Sequence, residues 1–312
     1  MSMTVLQPGM LSLLQDSGRR GHHRLGLSNG GPLDREAYHY CNRLLQNTPN
    51  ATVIEIGAGG LQLTTQVDTF ICLTGASMPL SINGQERARW EVHPVSEGDI
   101  VRTGFARVGC RAYLGVAGGF SIEPSFGSTA TVVREHIGGL CGAPLRGGDR
   151  LPCAAISGRK RLYLPEKDQP RYQNTITVRV IPGYQQRHFK RAEQRRFFSS
   201  TYRVSERCDR MGFRLQGPPI ACDVEGILSE GICFGAIQIP RDGQPIVLLN
   251  DRQTIGGYPK IGAALSLDAS RLSQLAPGCS VHFAPVSVGT AQRALDMAQR
   301  FTLQKPLLER HP

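Results

Sequence analysis

Thr69-Phe-Ile-Cys-Leu73, then Pro79-Leu-Ser-Ile82, then Asn83-Gly84: this stretch decides the fold. The first two pieces are apolar runs of strand length. Asn-Gly after such a run is the strongest short hairpin signal, because both central residues of a type I′ turn need positive φ. Working outward, Ser96-Glu-Gly-Asp99 marks another turn leading into Ile100-Val101, and Arg111-Ala-Tyr-Leu-Gly-Val116 reads as a buried strand stopped by Ala117-Gly118-Gly119. The 36 glycines and 6% aromatic content agree with short strands and tight turns rather than long helices. One helix interrupts them. From Asp34 to Gln46, Ala37, Cys41, Leu44 and Leu45 fall on one helical face, with Asp34 placed as N-cap and Pro49 just beyond the end.

Further along, Ser-Gly-Arg-Lys-Arg, Pro165-Glu-Lys-Asp and Gln169-Pro-Arg carry proline and mixed charge without an apolar period, which is linker composition. The alternating run Ile176-Thr-Val-Arg-Val-Ile181 opens a second lobe. A basic helical segment, Gln185 to Phe198, follows it. Gly235-Ala-Ile-Gln-Ile-Pro240, Pro245-Ile-Val-Leu-Leu249 and Ser280-Val-His-Phe283 read as strands, and a helix begins near Thr290 with Ala291, Ala294, Leu295, Ala298 and Phe301 on one face. The expected organisation is an N-terminal β lobe over 1–155, a linker over 156–175, a second β lobe over 176–288, and a helix and tail over 289–312.

The chain has 312 residues, 40% hydrophobic and 20% charged, enough for two domains with full cores. Its net charge of +11 raises nucleic-acid binding. No zinc-finger spacing, RNP-like strand or basic region with heptads supports that class, so nucleic acid is not expected as a partner. The nine cysteines contain no Cys-x-x-Cys, which signals neither a zinc site nor a redox pair. The N-terminus lacks the pattern of a secretion signal, and no apolar run approaches bilayer length. A cytoplasmic protein without a membrane segment or a metal site is the expectation.

Familiar motifs fail on inspection. There is no Gly-x-x-x-x-Gly-Lys-Ser/Thr. Gly57-Ala-Gly59-Gly60 starts a dinucleotide fingerprint, but Gln62 stands where the third glycine belongs. Gly26-Leu-Ser28-Asn-Gly30 matches Gly-x-Ser-x-Gly without the strand and helix that a nucleophile elbow requires, so Ser28 reads as a loop residue. His22-His23 has no carboxylate at a ligand spacing. No Met-Lys-Met segment is present to carry biotin on this chain.

What remains is a set of glycine-rich polar loops: Gln15-Asp16-Ser17-Gly18-Arg19, Gly30-Gly-Pro-Leu-Asp34, Cys208-Asp209-Arg210-Met211 and Leu249-Asn250-Asp251-Arg252-Gln253-Thr254-Ile255-Gly256-Gly257-Tyr258-Pro259-Lys260. The last follows a buried strand, so a rigid element presents it. Asp251, Gln253, Tyr258 and Lys260 suit a small polar amide. A cation can stabilise charge growing on oxygen, and a carboxylate can orient or deprotonate a nitrogen or a water. The same residue types also build turns and ion pairs that only hold loops together.

These loops occur in register with Leu73-Thr-Gly-Ala76, Tyr113-Leu-Gly-Val-Ala-Gly-Gly119, Asp209-Arg-Met-Gly-Phe-Arg-Leu215 and Asp242-Gly-Gln-Pro-Ile-Val247. Together, over about Thr4 to Val286, the chain resembles the family that holds the C-type subunit of 5-oxoprolinase, KipA and the carboxyltransferase portion of urea carboxylase. It is also called the allophanate hydrolase subunit 2 family. The resemblance implies a mainly β fold of two cyclophilin-like β-barrel lobes with a few peripheral helices. It implies a B-type (KipI-like) partner, an A-type partner, and ATP-dependent opening of the lactam of 5-oxo-L-proline. ATP with Mg2+ would then bind at a non-P-loop site shared with a partner. On that resemblance Asp251, Lys260 and Arg210 are the expected catalytic residues, Lys260 and Arg210 assigned to anionic groups and Asp251 to a base or orienting carboxylate. Gln253 and Tyr258 are assigned to the substrate amide, and Asp209 to bracing Arg210 or Arg214. Asp16, Arg19, Asp34 and Asp209 itself join as substrate-binding residues. The family's other activities leave two alternatives: a carboxyltransferase moving a carboxyl from carboxybiotin to urea or a similar amide, and a regulatory partner without turnover. The chain departs from the family pattern at Gly127-Ser-Thr129-Ala-Thr131 and Gly142-Ala143-Pro-Leu145, where arginines are usual at 129 and 143, and at Phe213 and Ile255.

Overall fold

The Asn83-Gly84 turn forms as its residues require, with φ of 51° and 78°. It joins the antiparallel strands Leu80–Ile82 and Gln85–Arg87. The computed structural model describes residues 1–310, so the last two residues of the expected 289–312 tail lie outside the described residues. Residues 1–20, 30–172 and 304–310 make one unit, and residues 21–29 and 173–303 a second.

The first unit has two antiparallel sheets. One runs Arg150–Pro152, Ser2–Pro8, Leu61–Thr65, Ile100–Thr103, Leu80–Ile82, Gln85–Arg87; the other runs Leu11–Gln15, Val53–Gly57, Arg111–Val116, Thr69–Gly75, Val92–Val95. Alternation along the strands sorts the side chains. Ala112, Leu114 and Val116 join Met3, Val5, Leu61 and Leu63 of the opposite sheet in one core. Tyr113 and Cys72, on the other face, pack against helix α1 (Arg35–Leu44) through Ala37, Cys41 and Leu44. Asp34 caps that helix as expected, its carboxylate accepting from the amide of Ala37 at 3.1 Å. Such a cap stabilises a helix by about 1 kcal/mol.

The second unit is a closed seven-stranded barrel ordered Thr175–Pro182, Lys260–Ala264, Ala236–Gln238, Ile246–Leu248, Gly212–Gln216, Tyr202–Cys208, Ser280–Pro285. It closes by parallel pairing of its first and last strands, Thr175 opposite Ser280 and Val180 opposite Pro285. Helix α2 (Arg191–Ser199) docks through Phe197, which stacks on Phe283 with ring centroids 4.4 Å apart. Helix α3 (Ser266–Leu272) is fixed by Asp268, which accepts from the Arg179 guanidinium at 2.7 Å through both oxygens. Helix α4 (Val288–Gln304) buries Ala291.

The mainly β expectation holds, with a closed barrel in the second lobe. The strands of the first lobe lie in two sheets. Three features of the predicted organisation change. The 156–175 segment is no free linker: Leu162–Tyr163 pairs with Leu308–Glu309, Leu164 is buried, and the Tyr172 hydroxyl donates to Asp34 at 2.7 Å. Apolar anchors spaced among prolines and charges hold it to the first unit. The tail returns to that unit, where Arg310 meets Glu91 at 3.1 Å. Residues 21–29, within the predicted first lobe, belong to the barrel unit.

Candidate functional site

In the first unit the expected substrate-binding residues are spent on their own loops. Asp16 is buried, and its carboxylate accepts from the Gly18 amide at 2.9 Å, the Ser128 hydroxyl at 2.6 Å and the Thr129 amide at 2.9 Å. Arg19, 2% exposed, donates to the carbonyls of Ser125, Ser128 and Ala130 at 3.0, 3.4 and 3.2 Å. Asp34 divides its oxygens between Ala37 and Tyr172. Gln15 donates to the Thr131 carbonyl and accepts from the Gly31 amide, both at 2.9 Å. These groups knit the 15–19, 30–34 and 125–131 loops, and the geometry gives Asp16, Arg19 and Asp34 a bracing task. At Thr129, where the family carries arginine, the hydroxyl bonds Thr52 at 2.8 Å inside the same network.

Two of the three expected catalytic residues in the second unit are partners of each other. Arg210 grips Asp251 through Nε at 2.8 Å and Nη2 at 3.0 Å, and both side chains are 7% exposed. The Asp251 amide also donates to the Arg210 carbonyl. A carboxylate so paired is a poor base, and a guanidinium so paired is a poor anion receptor. The pair ties the 208–212 turn to the loop after the strand Ile246–Leu248. Asp209 braces that turn, accepting from the Met211 and Gly212 amides at 2.7 and 3.1 Å, rather than bracing a guanidinium. Beside them, buried Arg252 donates to the Ile232 and Leu249 carbonyls, and the Ser28 hydroxyl donates to the Arg252 carbonyl at 2.8 Å. Ser28 is thus a buried loop residue.

Lys260 is placed differently. It begins a barrel strand, and its ammonium bonds Glu230, which also binds the hydroxyl of Tyr184. Gln185 completes the cluster: its amide donates to Glu230 at 2.7 Å and to the Tyr184 oxygen at 2.9 Å, while its oxygen accepts from the Lys260 backbone at 2.8 Å. The Lys260 ammonium, and after it the Tyr184 hydroxyl, hold the Glu230 carboxyl below the usual range. The bond to Glu230 pushes the Tyr184 phenol up. At neutral pH Glu230 is therefore a carboxylate and the Tyr184 phenol keeps its proton.

Glu230 itself belongs to a short ribbon, Glu230–Gly231 paired with Ile255–Gly256. Next to it in sequence, Ile232 packs with Ala236 and Leu248 of the barrel in a small apolar cluster. Of the residues nominated in this loop, Lys260 and Gln253 are half-buried and Tyr258 faces solvent, 45% exposed. Glu230, Tyr184 and Gln185 were not nominated from sequence: they stand in unremarkable turn and helical contexts and reach Lys260 only through the fold. A cleft of about 490 Å3 in the first unit, lined by Arg89, Glu166, Lys167, Gln169, Pro170 and Arg171, contains none of the nominated residues. No helix among the described residues is long and apolar enough to cross a membrane.

Comparison with known proteins agrees with the fold. A family model described as the carboxyltransferase domain, subdomain A and B, matches residues 25–285. The chain is 36% identical over 302 residues to the C-type subunit of 5-oxoprolinase from Escherichia coli, covering 96% of each chain. It is 33% identical over 290 residues to that of Haemophilus influenzae, covering 93% of each. A solved structure, the urea carboxylase of Kluyveromyces lactis, superposes with a TM-score of 0.91 at 25% identity over 98% of this chain and 29% of that one.

Proposed function

The chain belongs to the carboxyltransferase-domain family, and from that premise we propose that it is the C-type subunit of an ATP-dependent 5-oxoprolinase that opens the lactam of 5-oxo-L-proline to L-glutamate. The observation that carries this reading is the colinear 36% identity to a C-type 5-oxoprolinase subunit over 96% of both chains. A lactam is a poor electrophile. Transfer of the γ-phosphoryl group of ATP to its oxygen releases ADP and makes a leaving group. One water then adds at the ring carbon and the C–N bond breaks with protonation of nitrogen, leaving an acyl phosphate, which a second water hydrolyses to the carboxylate and free phosphate.

In this reading Lys260 supplies positive charge on the substrate side, held in place by Glu230, while Gln253 and Tyr258 line the approach. The Arg210–Asp251 pair positions the loop that carries them. The cations first assigned to anionic groups each have a carboxylate partner here, so this cluster fits a singly charged substrate better than a triphosphate. No group of three or more His, Cys, Asp or Glu side chains among the described residues suits a metal ion. The ATP phosphates and Mg2+ are accordingly assigned in the main to the B-type and A-type partners.

The test is ATP hydrolysis by the complex of this chain with its B-type and A-type partners. Stimulation by 5-oxoproline, with glutamate formed and urea inert, is the expected result. The likeness to urea carboxylase favours one second reading, transfer of a carboxyl from carboxybiotin carried on another polypeptide. Stimulation by urea in the presence of a biotinylated carrier, with no response to 5-oxoproline, would establish it instead.

A further inference from the structure

The cleft of about 490 Å3 in the first unit, lined by Arg89, Glu166, Lys167, Gln169, Pro170 and Arg171, has no task in the reading above. Three of these residues are cations and one is a carboxylate. Elsewhere the chain pairs sheltered cations with carboxylates: Arg179 with Asp268, Arg210 with Asp251, Lys260 with Glu230 and Lys305 with Asp168. Arg89 breaks that habit. It is half-buried, and burial pushes its guanidinium pKa down. Its Nη1 donates to the carbonyls of Gly75 and Ala76, each at 3.2 Å, while Nε and Nη2 have no partner among the described residues. Glu166 acts on it electrostatically without pairing with it. Lys167 and Arg171 are exposed, and neither forms an ion pair among the described residues. A cation drawn out of water without a counter-charge is costly, and an anionic ligand would supply that charge.

Both walls of the cleft are tied down. Arg89 precedes buried Trp90, whose amide donates to the Leu73 carbonyl at 2.7 Å and whose carbonyl accepts from the Leu164 amide at 2.9 Å. Trp90 has a φ of 58°, a strained left-handed value that a residue with a side chain keeps only where its surroundings enforce it, as at ligand clamps. On the other wall Gln169 Nε2 donates to the Leu164 carbonyl and the Lys305 ammonium to the Asp168 carbonyl, both at 2.9 Å. The Tyr172 hydroxyl then fixes the end of the segment on Asp34. Walls held in this way lower the ordering cost of binding.

We propose that this cleft binds a small phosphate ester bearing hydroxyl groups. Three positive side chains against one negative leave a surplus of two charges, which a phosphoryl dianion neutralises and a single carboxylate does not. The free Nε and Nη2 edge of Arg89 matches two phosphoryl oxygens. Glu166 and the Gln169 side-chain oxygen are acceptors, since the Gln169 nitrogen is engaged, and they call for hydroxyl donors beside the phosphoryl group. The volume lies in the ordinary range for small-molecule sites and leaves room for more than a bare phosphate. Such a site stands whether or not the chain takes part in lactam opening.

The test is calorimetric titration of the full-length chain with ribose 5-phosphate, adenosine monophosphate, inorganic phosphate and ribose. Ribose 5-phosphate should bind, inorganic phosphate should bind about tenfold more weakly, and ribose should not bind. Adenosine monophosphate bound as tightly as ribose 5-phosphate would support the site and mark its ligand as a nucleotide; exclusion of the nucleotide alone would support it and mark a sugar phosphate. Arg89→Gln should weaken ribose 5-phosphate binding about tenfold or more, the scale of a lost charge-assisted hydrogen bond. Lys167→Gln combined with Arg171→Gln, at two exposed positions, should weaken it several-fold at an unchanged melting temperature, and decides the matter if Arg89→Gln does not fold. Failure of both phosphate esters to bind, or ester binding that is unaltered in the variants, overturns the proposal. Inorganic phosphate or ribose bound as tightly as the esters overturns the assignment of a phosphate ester.

Discussion

The loop network around Asp16 and Arg19 and the cluster around Lys260 use the same residue types and differ in what is left over. In the first, charged side chains meet backbone groups and hydroxyls inside a sealed interior. Asp16 is 2% exposed and accepts three hydrogen bonds. In the second, the side chains of Lys260, Glu230 and Tyr184 meet one another at the ribbon that carries Glu230. Donors remain uncommitted, and Tyr258 stands 45% exposed at the margin. A polar glycine-rich loop is therefore not a binding site by composition. The distinction lies in whether the fold consumes its donors and acceptors.

Substitution should separate the two clusters. Asp16→Ala strands three donors and should cost about 3–5 kcal/mol. The melting temperature should fall on the order of 10 °C, while the fraction still folded binds 5-oxoproline normally. A loss of binding without loss of stability would break the contrast by making Asp16 a substrate contact. Lys260→Ala should do the reverse. Turnover of the assembled complex should fall roughly a hundredfold, with a smaller loss of stability than in Asp16→Ala, because Glu230 keeps a third of its side chain in solvent when its partner is removed. Retained turnover would remove Lys260 from the site.

The smallest effect concerns pH. Glu230 has its folded-state pKa lowered by Lys260 and Tyr184. Its contribution is thus complete above the ordinary carboxylate range and disappears as pH falls through the lowered folded value. Substrate affinity should weaken on that acid side in wild type. Glu230→Gln should flatten the acid limb, read as Kd against pH, and lower affinity modestly at neutral pH. An acid limb that persists unchanged in Glu230→Gln would assign it to another group.

Much of the fold is legible locally. Asn83-Gly84 announces its hairpin because the turn's backbone requirement falls on those two residues, and Asp34 announces a helix start because its carboxylate reaches only three residues ahead. The site is less legible. Lys260 can be nominated from its loop, but Glu230 is 30 residues away and Gln185 is 75, and nothing in Ser229-Glu-Gly231 distinguishes it from any exposed turn. The mutual capture of Arg210 and Asp251 is equally hidden, because spacing reports that charges exist and not which charge each one meets. The 156–175 segment misled for a related reason: its prolines and charges look like a linker, and its few apolar anchors show their weight only when packed.

One feature of the barrel unit bears on how the chain is made. Ser28, on a segment synthesised before most of the first unit, bonds to Arg252, 224 residues later. At ribosomal speeds of about 5–20 residues per second, that interval is roughly 10–45 s. The barrel itself awaits its last strand, because Ser280–Pro285 is the neighbour of Thr175–Pro182. During translation the early segment remains without its eventual neighbours while the sheets encoded around it complete their own folding. A chain stalled or cleaved before residue 252 should thus present 21–29 as an exposed, protease-accessible loop, a mark by which quality control can tell an unfinished molecule from a finished one.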